Sequence, residues 1–487
     1  MKSEEIMELL NTKTIALADL RQEVIGVDTK VPLLDGSARR YVFLDNAAST
    51  PTFRSVLKCI EEFMPWYSGV HRGMGFKAIV ATNVYEQTRR IVGEFVGADP
   101  DRNIVLFGKN TTECVNKLAH RFQFKPEDVV ITTVMEHHSN DLPWRKYCKV
   151  IHVGIRSDGG IDLNSLRKQL ERFHGSVKLV AVSGASNVTG ICNPIHDIAE
   201  WAHGVGAYVF VDAAQLAPHR PIDILQNDDP RHIDFLAYSA HKVYAPFGIG
   251  VLVGPAQFFA SGEPDIVGGG TVSYVGTEDV EWGSLPQKEE AGSPNVVGAV
   301  ALAEALTILT GIGMDVIADH EHNLLKYALG KMKNLAGVRI YGPLNDLSKK
   351  VGVIPFNVEG MDHALVATIL SAEGGIGVRN GNFCAQPYMR KLLDVSPEEE
   401  KMKRAARCDN PTLPGMVRAS FGCYNNEEDV DLFIHMLDRI VCRKYFGKYT
   451  IDPVTGMYST NGYSVNAGKH FRFFNPTEAV SHGEEIA

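Results

Sequence analysis

The sequence predicts an α/β protein with a largely parallel sheet between two layers of helices, followed by a smaller α+β unit, and three observations carry that expectation. Short β-branched runs alternate with helical patterns from Asn103 to Gly254. The runs are separated by enough chain for the long crossovers that parallel neighbours need. Beyond about Thr310 the alternation gives way to a mixed order of helices and strands.

In chain order, NIVLF precedes TTECVNKLAHRF, DVVITTV precedes DLPWRKYC, and VIHVGI precedes DLNSLRKQLERF. VKLVAVS and HDIAEWAHGVG come next, and AYVFVDA, IDFLAYS and IGVLVG complete the series. A helical run near 295–310 closes this unit. The smaller unit reads as a helix over 314–335, strands VRIYG and VGVIPFNV, helix HALVATILSAE, strand IGVRN and terminal helix EEDVDLFIHMLDRIVCRKYF. The expected division is 1–30 as an N-terminal segment packing with the small domain, 31–310, 311–445 and an extension over 446–487. That extension shows neither helical nor sustained strand periodicity and reads as a strap or a tail.

Composition narrows the class. A chain of 487 residues with 45% hydrophobic content can bury a large core. The formal net charge of −9, with both signs interspersed, offers no extended basic surface for nucleic acid. The first twenty residues space Ile6, Leu9 and Leu10 as a helix does and lack the apolar core of a signal peptide; no stretch reaches transmembrane length, so no membrane partner is expected. Eight cysteines without a CxxC pair suggest neither a zinc site nor a disulfide framework, and point to a reducing, cytoplasmic compartment. GGGTVSYVG has neither GxGxxG spacing nor the lysine of a P-loop, and HEHN at His320 is not HExxH, so no metal site is expected.

Chemistry-bearing residues collect where ligands gather in such folds, at the carboxyl ends of strands. Lys242 follows IDFLAYSAH; an amine held in a cleft there could form a Schiff base, although most lysines are solvated. Asp212 ends AYVFVDA and reads either as a partner for a pyridinium nitrogen or as a helix cap, and Gln215 follows it. MEHHSN offers His137 or His138 to stack on a flat cofactor. Thr111 and Thr112 begin a helix whose free amides favour a phosphate, or they are simple caps.

With these residues the chain resembles the class V family of fold-type I pyridoxal-phosphate enzymes, and most nearly the second group of cysteine desulfurases with the selenocysteine lyases. FLDNAAST, VHRG, NTTE, MEHHSN, ASNVTG, VDAAQ, SAHK, EAGSPN, VRNGNFCAQP and VRASFGCYN stand in the family's order between about Leu20 and Arg443. The resemblance implies a seven-stranded, mainly parallel sheet in the large domain and a homodimer with shared active sites. It implies that Lys242 tethers pyridoxal 5'-phosphate, Asp212 pairs with the ring nitrogen, Gln215 reaches the phenolic oxygen and His137 stacks on the ring. Thr111, Thr112, Ser239 and His241 would hold the phosphate, with Ser293 reaching the neighbouring subunit's site. Arg418, Arg379 and Asn187 would bind the substrate carboxylate, Asn187 lying against the cofactor as well.

By the same resemblance Cys384 is the nucleophile that takes sulfur from cysteine, leaving a persulfide and alanine, with an acceptor protein as a further partner. Cys384 read alone is a small residue in a turn after a strand, placed for exposure. The relatives carry Gly-His-His-Cys where this chain has Gly381-Asn382-Phe383-Cys384, so two imidazoles that would steady a thiolate or deliver a proton are absent. The charged segment over 396–415 is longer than expected and is placed to cover the site or meet an acceptor. The alternatives are another class V reaction, namely β-elimination, transamination or epimerisation with Cys384 structural, and an inactive binding scaffold.

Overall fold

The computed structural model describes residues 16–396, 398, 399, 401 and 414–473. The N-terminal helix expected around Ile6, most of the charged segment over 396–415 and the last residues of the extension lie outside these.

Seven strands form the central sheet: β1 (Asn103–Gly108), β2 (Val129–Thr133), β3 (Lys149–Val153), β4 (Val177–Ser183), β5 (Tyr208–Asp212), β6 (Phe235–Ser239) and β7 (Gly250–Pro255). Their order in space is β1-β7-β6-β5-β4-β2-β3. All run parallel except β7, which pairs antiparallel with both neighbours. The link from β6 to β7 is about ten residues, too short for the crossover that a parallel strand requires.

Alternation along the strands sorts their side chains to two faces. Leu179 and Ala181 of β4 join Phe210, Phe235 and Leu252 in one cluster, while Val180 and Val182 join Val209, Val211 and Val251 in another. A strand buried on both faces is apolar throughout, which is why VKLVAVS and AYVFVDA are legible as strands. The covering helices are α1 (Arg54–Phe63), α2 (Phe76–Phe95), α3 (Thr111–Arg121), α4 (Leu163–Arg172), α5 (Ile195–His203) and α6 (Val296–Ile312). Helix α6 is apolar almost all round and correspondingly buried. The helix expected at DLPWRKYC shrinks to one turn, Leu142–Arg145, because the chain must turn to enter β3 at Lys149.

The second unit contains α7 (Met314–Met332), β8 (Val338–Ile340), β9 (Val353–Val358), α8 (His363–Gly374), β10 (Arg379–Gly381), β11 (Met416–Ser420) and α9 (Glu427–Val441). Its antiparallel sheet has the order β8-β9-β11-β10 and packs Ile354, Phe356 and Val417 against Ile369, Phe433 and Leu437. The run IGVRN is not one strand. Gly375, left-handed at φ 65°, ends α8; Ile376–Gly377 then pairs with Val42–Phe43, and Arg379–Gly381 enters the small sheet. Arg21 and Arg40 both reach Asp429 of α9, at 3.0 and 2.7 Å, while Leu20 and Val24 pack into the core of the large unit, so the N-terminal segment touches both units.

The extension is more ordered than its periodicity suggests. It forms a hairpin of β12 (Tyr449–Ile451) and β13 (Tyr458–Thr460), strands too short to show a period. Buried Glu373 of α8 anchors it, accepting bonds from the Phe446 and Gly447 amides and the Tyr449 hydroxyl.

Candidate active site

The carboxyl ends of β4, β5 and β6 open on a cavity of about 360 Å³. The residues singled out for cofactor or substrate in the sequence line it except Ser293 and His138, so of the two histidines of MEHHSN it is His137 that faces the cavity. Ser293 lies in a separate depression with His71, Arg72 and Gly270.

Asp212 ends β5 almost wholly buried, and one of its oxygens accepts the Ala214 amide at 3.0 Å. Burial pushes its carboxyl up, opposed by that amide and by the charge of Lys242. No helix follows it, so the cap reading falls away. Gln215 donates through Nε2 to the Ala47 carbonyl at 2.6 Å, leaving Oε1 buried without a partner. Lys242 ends the short 3-10 turn Ala240–Lys242 beyond β6. Among the described residues its amine has no hydrogen-bond partner, and it is pushed down to about 8, chiefly by burial, with Asp212 pulling the other way. Burial and Lys242 lower His137 to about 3 and His241 to about 4, so both rings are neutral. His137 accepts the Ser139 amide through Nδ1 at 3.1 Å.

The start of α3 forms one end of the cavity. Asn110 caps the helix through the Glu113 amide, Thr111 bonds Ser239 Oγ through both its amide and its hydroxyl, and Thr112 meets Ser139 Oγ at 2.7 Å. Free amides and hydroxyls at a helix start favour an anion. Gly250, which the motif search passed over, makes this geometry possible: a Cβ there would lie 2.4 Å from the carbonyl carbon of Asn110. Glu136 was also passed over. It is buried beside His137, accepts bonds from Thr133, Ser183 and Asn140 at 2.6 to 2.7 Å, and is pushed up to about 7 by burial. The signal was its place in MEHHSN, at the end of a wholly buried strand.

The opposite wall belongs to the loop after β10. Phe383 and Cys384 both adopt left-handed backbone, at φ 51° and 54°. The Asn187 amide donates to the Phe383 carbonyl and the His138 N–H donates to the Cys384 carbonyl, each at 2.7 Å. Cys384 is exposed, as its turn position leads one to expect. The Phe383 ring lies 4.8 Å from the Arg418 guanidinium carbon. Arg418 on β11 is buried and donates to the Asn187 carbonyl and to Asp45, both at 2.9 Å, while its Nε has no partner. Arg379, 57% exposed, stands 3.5 Å from the other oxygen of Asp45. Asp45, from FLDNAAST, is a third residue that the motif search left without a role. His320 and His322 spend their rings on the Asn425 and Leu347 carbonyls.

Known proteins resemble this chain in sequence and fold. Residues 42–433 match the family "Aminotransferase class-V". A probable cysteine desulfurase of Halalkalibacterium halodurans is 36% identical over 83% of this chain and 94% of its own length. A cysteine desulfurase of Haloferax volcanii is 34% identical over 85% of this chain and 93% of its own. Among solved structures, the apo cysteine desulfurase from Thermococcus onnurineus superposes with a TM-score of 0.73 at 34% identity, covering 83% of this chain and 95% of that one. The Escherichia coli cysteine desulfurase CsdA, in an S-sulfonic acid form, gives 0.73 at 29% identity over 89% and 100%. A family match that runs from the strand before FLDNAAST into the last helix, with every motif of the cavity inside it, means that this chain belongs to the class-V aminotransferase family.

Proposed function

We propose that the protein is a pyridoxal-phosphate-dependent cysteine desulfurase that takes sulfur, or selenium, from L-cysteine or L-selenocysteine and releases L-alanine. The observation that carries this is the meeting, in one cavity, of an unbonded lysine, a buried carboxylate, a neutral histidine, an arginine and an exposed cysteine.

The residues suit the cofactor. Gln215 Oε1 is a buried acceptor in want of a donor, and Gly250 keeps the approach to the α3 start clear. Thr111, Thr112, Ser239 and His241 would hold the phosphate, Asp212 and Gln215 the ring's polar atoms, and Lys242 the aldehyde carbon. When bound, pyridoxal phosphate supplies an electron sink for bonds at the substrate α-carbon.

Lys242, with its amine shifted towards neutrality, is the group that removes and returns a proton at that carbon. Arg418, with Arg379 at the mouth, holds the substrate carboxylate in a planar fork. Asp45 occupies that fork in the resting state, so the substrate exchanges one carboxylate for another. Cys384 Sγ then attacks the substrate sulfur: an S–S bond forms as the C–S bond breaks, and the three-carbon fragment takes a proton and leaves as alanine. The protein works as a homodimer in which Ser293 serves the neighbouring site, and an acceptor thiol collects the sulfur.

The pinned loop favours one competing reading, another class V reaction with Cys384 structural, because Asn382 and Phe383 offer no imidazole to the thiol. Incubation with L-cysteine, L-selenocysteine and cysteine sulfinate separates the two. Desulfuration gives alanine that Cys384→Ser fails to release from cysteine. Pyruvate with ammonia, or equal alanine from both proteins, removes the persulfide mechanism.

A further inference from the structure

A second cluster of ligating side chains lies at the other end of the sheet, before the amino end of β6. It is separated from the cavity by the length of that strand, roughly 15 Å. His203 ends α5, His232 lies in the loop before β6, and buried Asp234 immediately precedes that strand. The two imidazoles stack with centroids 4.3 Å apart and planes inclined by 21°.

Their hydrogen bonds define an unusual electrical arrangement. His203 Nδ1 lies 2.7 Å from the Pro230 carbonyl oxygen, and His232 Nδ1 lies 2.6 Å from that of Asp229. A carbonyl oxygen only accepts, so each ring carries its proton on Nδ1 and, when neutral, presents a lone pair at Nε2. Both lone pairs face one carboxylate: Nε2 of His203 is 2.9 Å from one oxygen of Asp234, and Nε2 of His232 is 3.2 Å from the other. The Val209 amide already donates to the first of these oxygens. Neutral rings therefore oppose acceptors with acceptors, and positive charge must enter the cluster to reconcile them.

Two protons would do this, one on each ring. So would one divalent ion, and the tethering of each Nδ1–H to a backbone carbonyl is the support that orients imidazoles as metal ligands. We propose that His203, His232 and Asp234 form a binding site for a divalent transition-metal ion of the zinc class, distinct from the cavity. Two imidazole nitrogens with one carboxylate suit zinc or cobalt(II); magnesium and calcium prefer oxygen ligands throughout.

The geometry is near what such an ion needs. Bonds of about 2.0 to 2.1 Å in a tetrahedral shell set ligand atoms roughly 3.3 Å apart. The two nitrogen–oxygen distances are close to that, and all three ligand atoms lie within 4.8 Å of one another. The rings can swing about their carbonyl bonds to close the remainder. The two side chains keep 19% and 15% of their surface exposed, enough for solvent to supply the remaining position. Among the described residues this is the one such trio of ligands. A bound ion would tie the end of α5 to the loop that leads into β6.

The test uses the full-length protein carrying its cofactor, freed of metal with a chelator and titrated at about pH 8, where unperturbed imidazoles are neutral. One equivalent of cobalt(II) per chain should bind, giving ligand-field bands without sulfur charge transfer, and zinc should raise the thermal midpoint. His232→Asn keeps the bond to the Asp229 carbonyl and removes the ligand; it should weaken binding at least tenfold and abolish the thermal shift. His203→Gln, made in parallel in case one variant folds poorly, should do the same, while Cys442→Ser, which removes an exposed thiol elsewhere, should change neither. Equal affinity in wild type and the folded histidine variant, no uptake by the wild type, or a cobalt spectrum dominated by sulfur would each overturn the proposal.

Discussion

At the floor of the cavity Asp212 and Ser239 end strands buried on both faces, and Lys242 follows within one turn. At its rim Phe383 and Cys384 hang on a loop in left-handed backbone. The floor is held by the sheet ladder and packed side chains on either side. The rim is held by a few bonds from other segments, from Asn187, from His138 and from the face of Arg418. The difference separates two kinds of support: Asp212, Ser239 and Arg418 stand on strands held by their ladders, whereas Cys384 stands where the backbone is left-handed and held by single bonds.

The contrast has measurable consequences. The largest is at the floor. Lys242→Ala should lower alanine release by about 10² to 10⁴-fold, as expected for loss of a positioned proton-transfer group. A variant that retains most activity would mean that the strand end is not where the proton moves. Gly250→Ala comes next: its new Cβ meets the Asn110 backbone at 2.4 to 2.7 Å, so stability should fall by about 1 to 3 kcal/mol. Urea midpoints measure that loss, and weaker retention of pyridoxal phosphate should accompany it.

Changes at the rim should be milder and should appear in substrate affinity. Arg379→Ala removes a guanidinium that is 57% exposed and stands 3.5 Å from Asp45, an ion pair worth about 0.2 to 1 kcal/mol. So little packing is lost that the urea midpoint should hardly move while KM for cysteine rises several-fold. A fall in stability like that of Gly250→Ala would erase the distinction between floor and rim.

A further effect is in pH dependence. Unfolded, His137 takes up its proton below about 6.5, whereas folded it does so only near 3. Between those values the unfolded chain binds more protons, so the neutral ring's contribution is complete above about 6.5 and is lost as pH falls towards 3. His137→Phe keeps a flat ring and removes the titration, so the slope of stability against pH in this window should flatten. An unchanged slope would show that the ring is not held neutral by the floor.

Much of this was readable from the chain. The inner strands of the sheet announced themselves because burial on both faces makes them largely apolar, the edge strand β3 by its short β-branched run, and the motifs at their ends followed as a matter of position. The antiparallel turn of β7, the split of IGVRN between two sheets and the C-terminal hairpin were not readable, since each depends on a partner remote in sequence. The same holds within the cavity. FLDNAAST and VRAS are both visible as motifs, but that Asp45 lies on Arg418, 373 positions away, is a fact of folding.

The sequence by itself determined the order of strands and helices, the residue types at each strand end and the absence of imidazoles beside Cys384, because periodicity and composition are local. The tertiary structure alone decided that Asn187, His138 and Arg418 clamp the Cys384 loop, that Gly250 clears the helix start and that two histidines converge on Asp234. Those relations arise from close packing between segments distant along the chain, and a linear pattern carries no record of which distant atoms will touch.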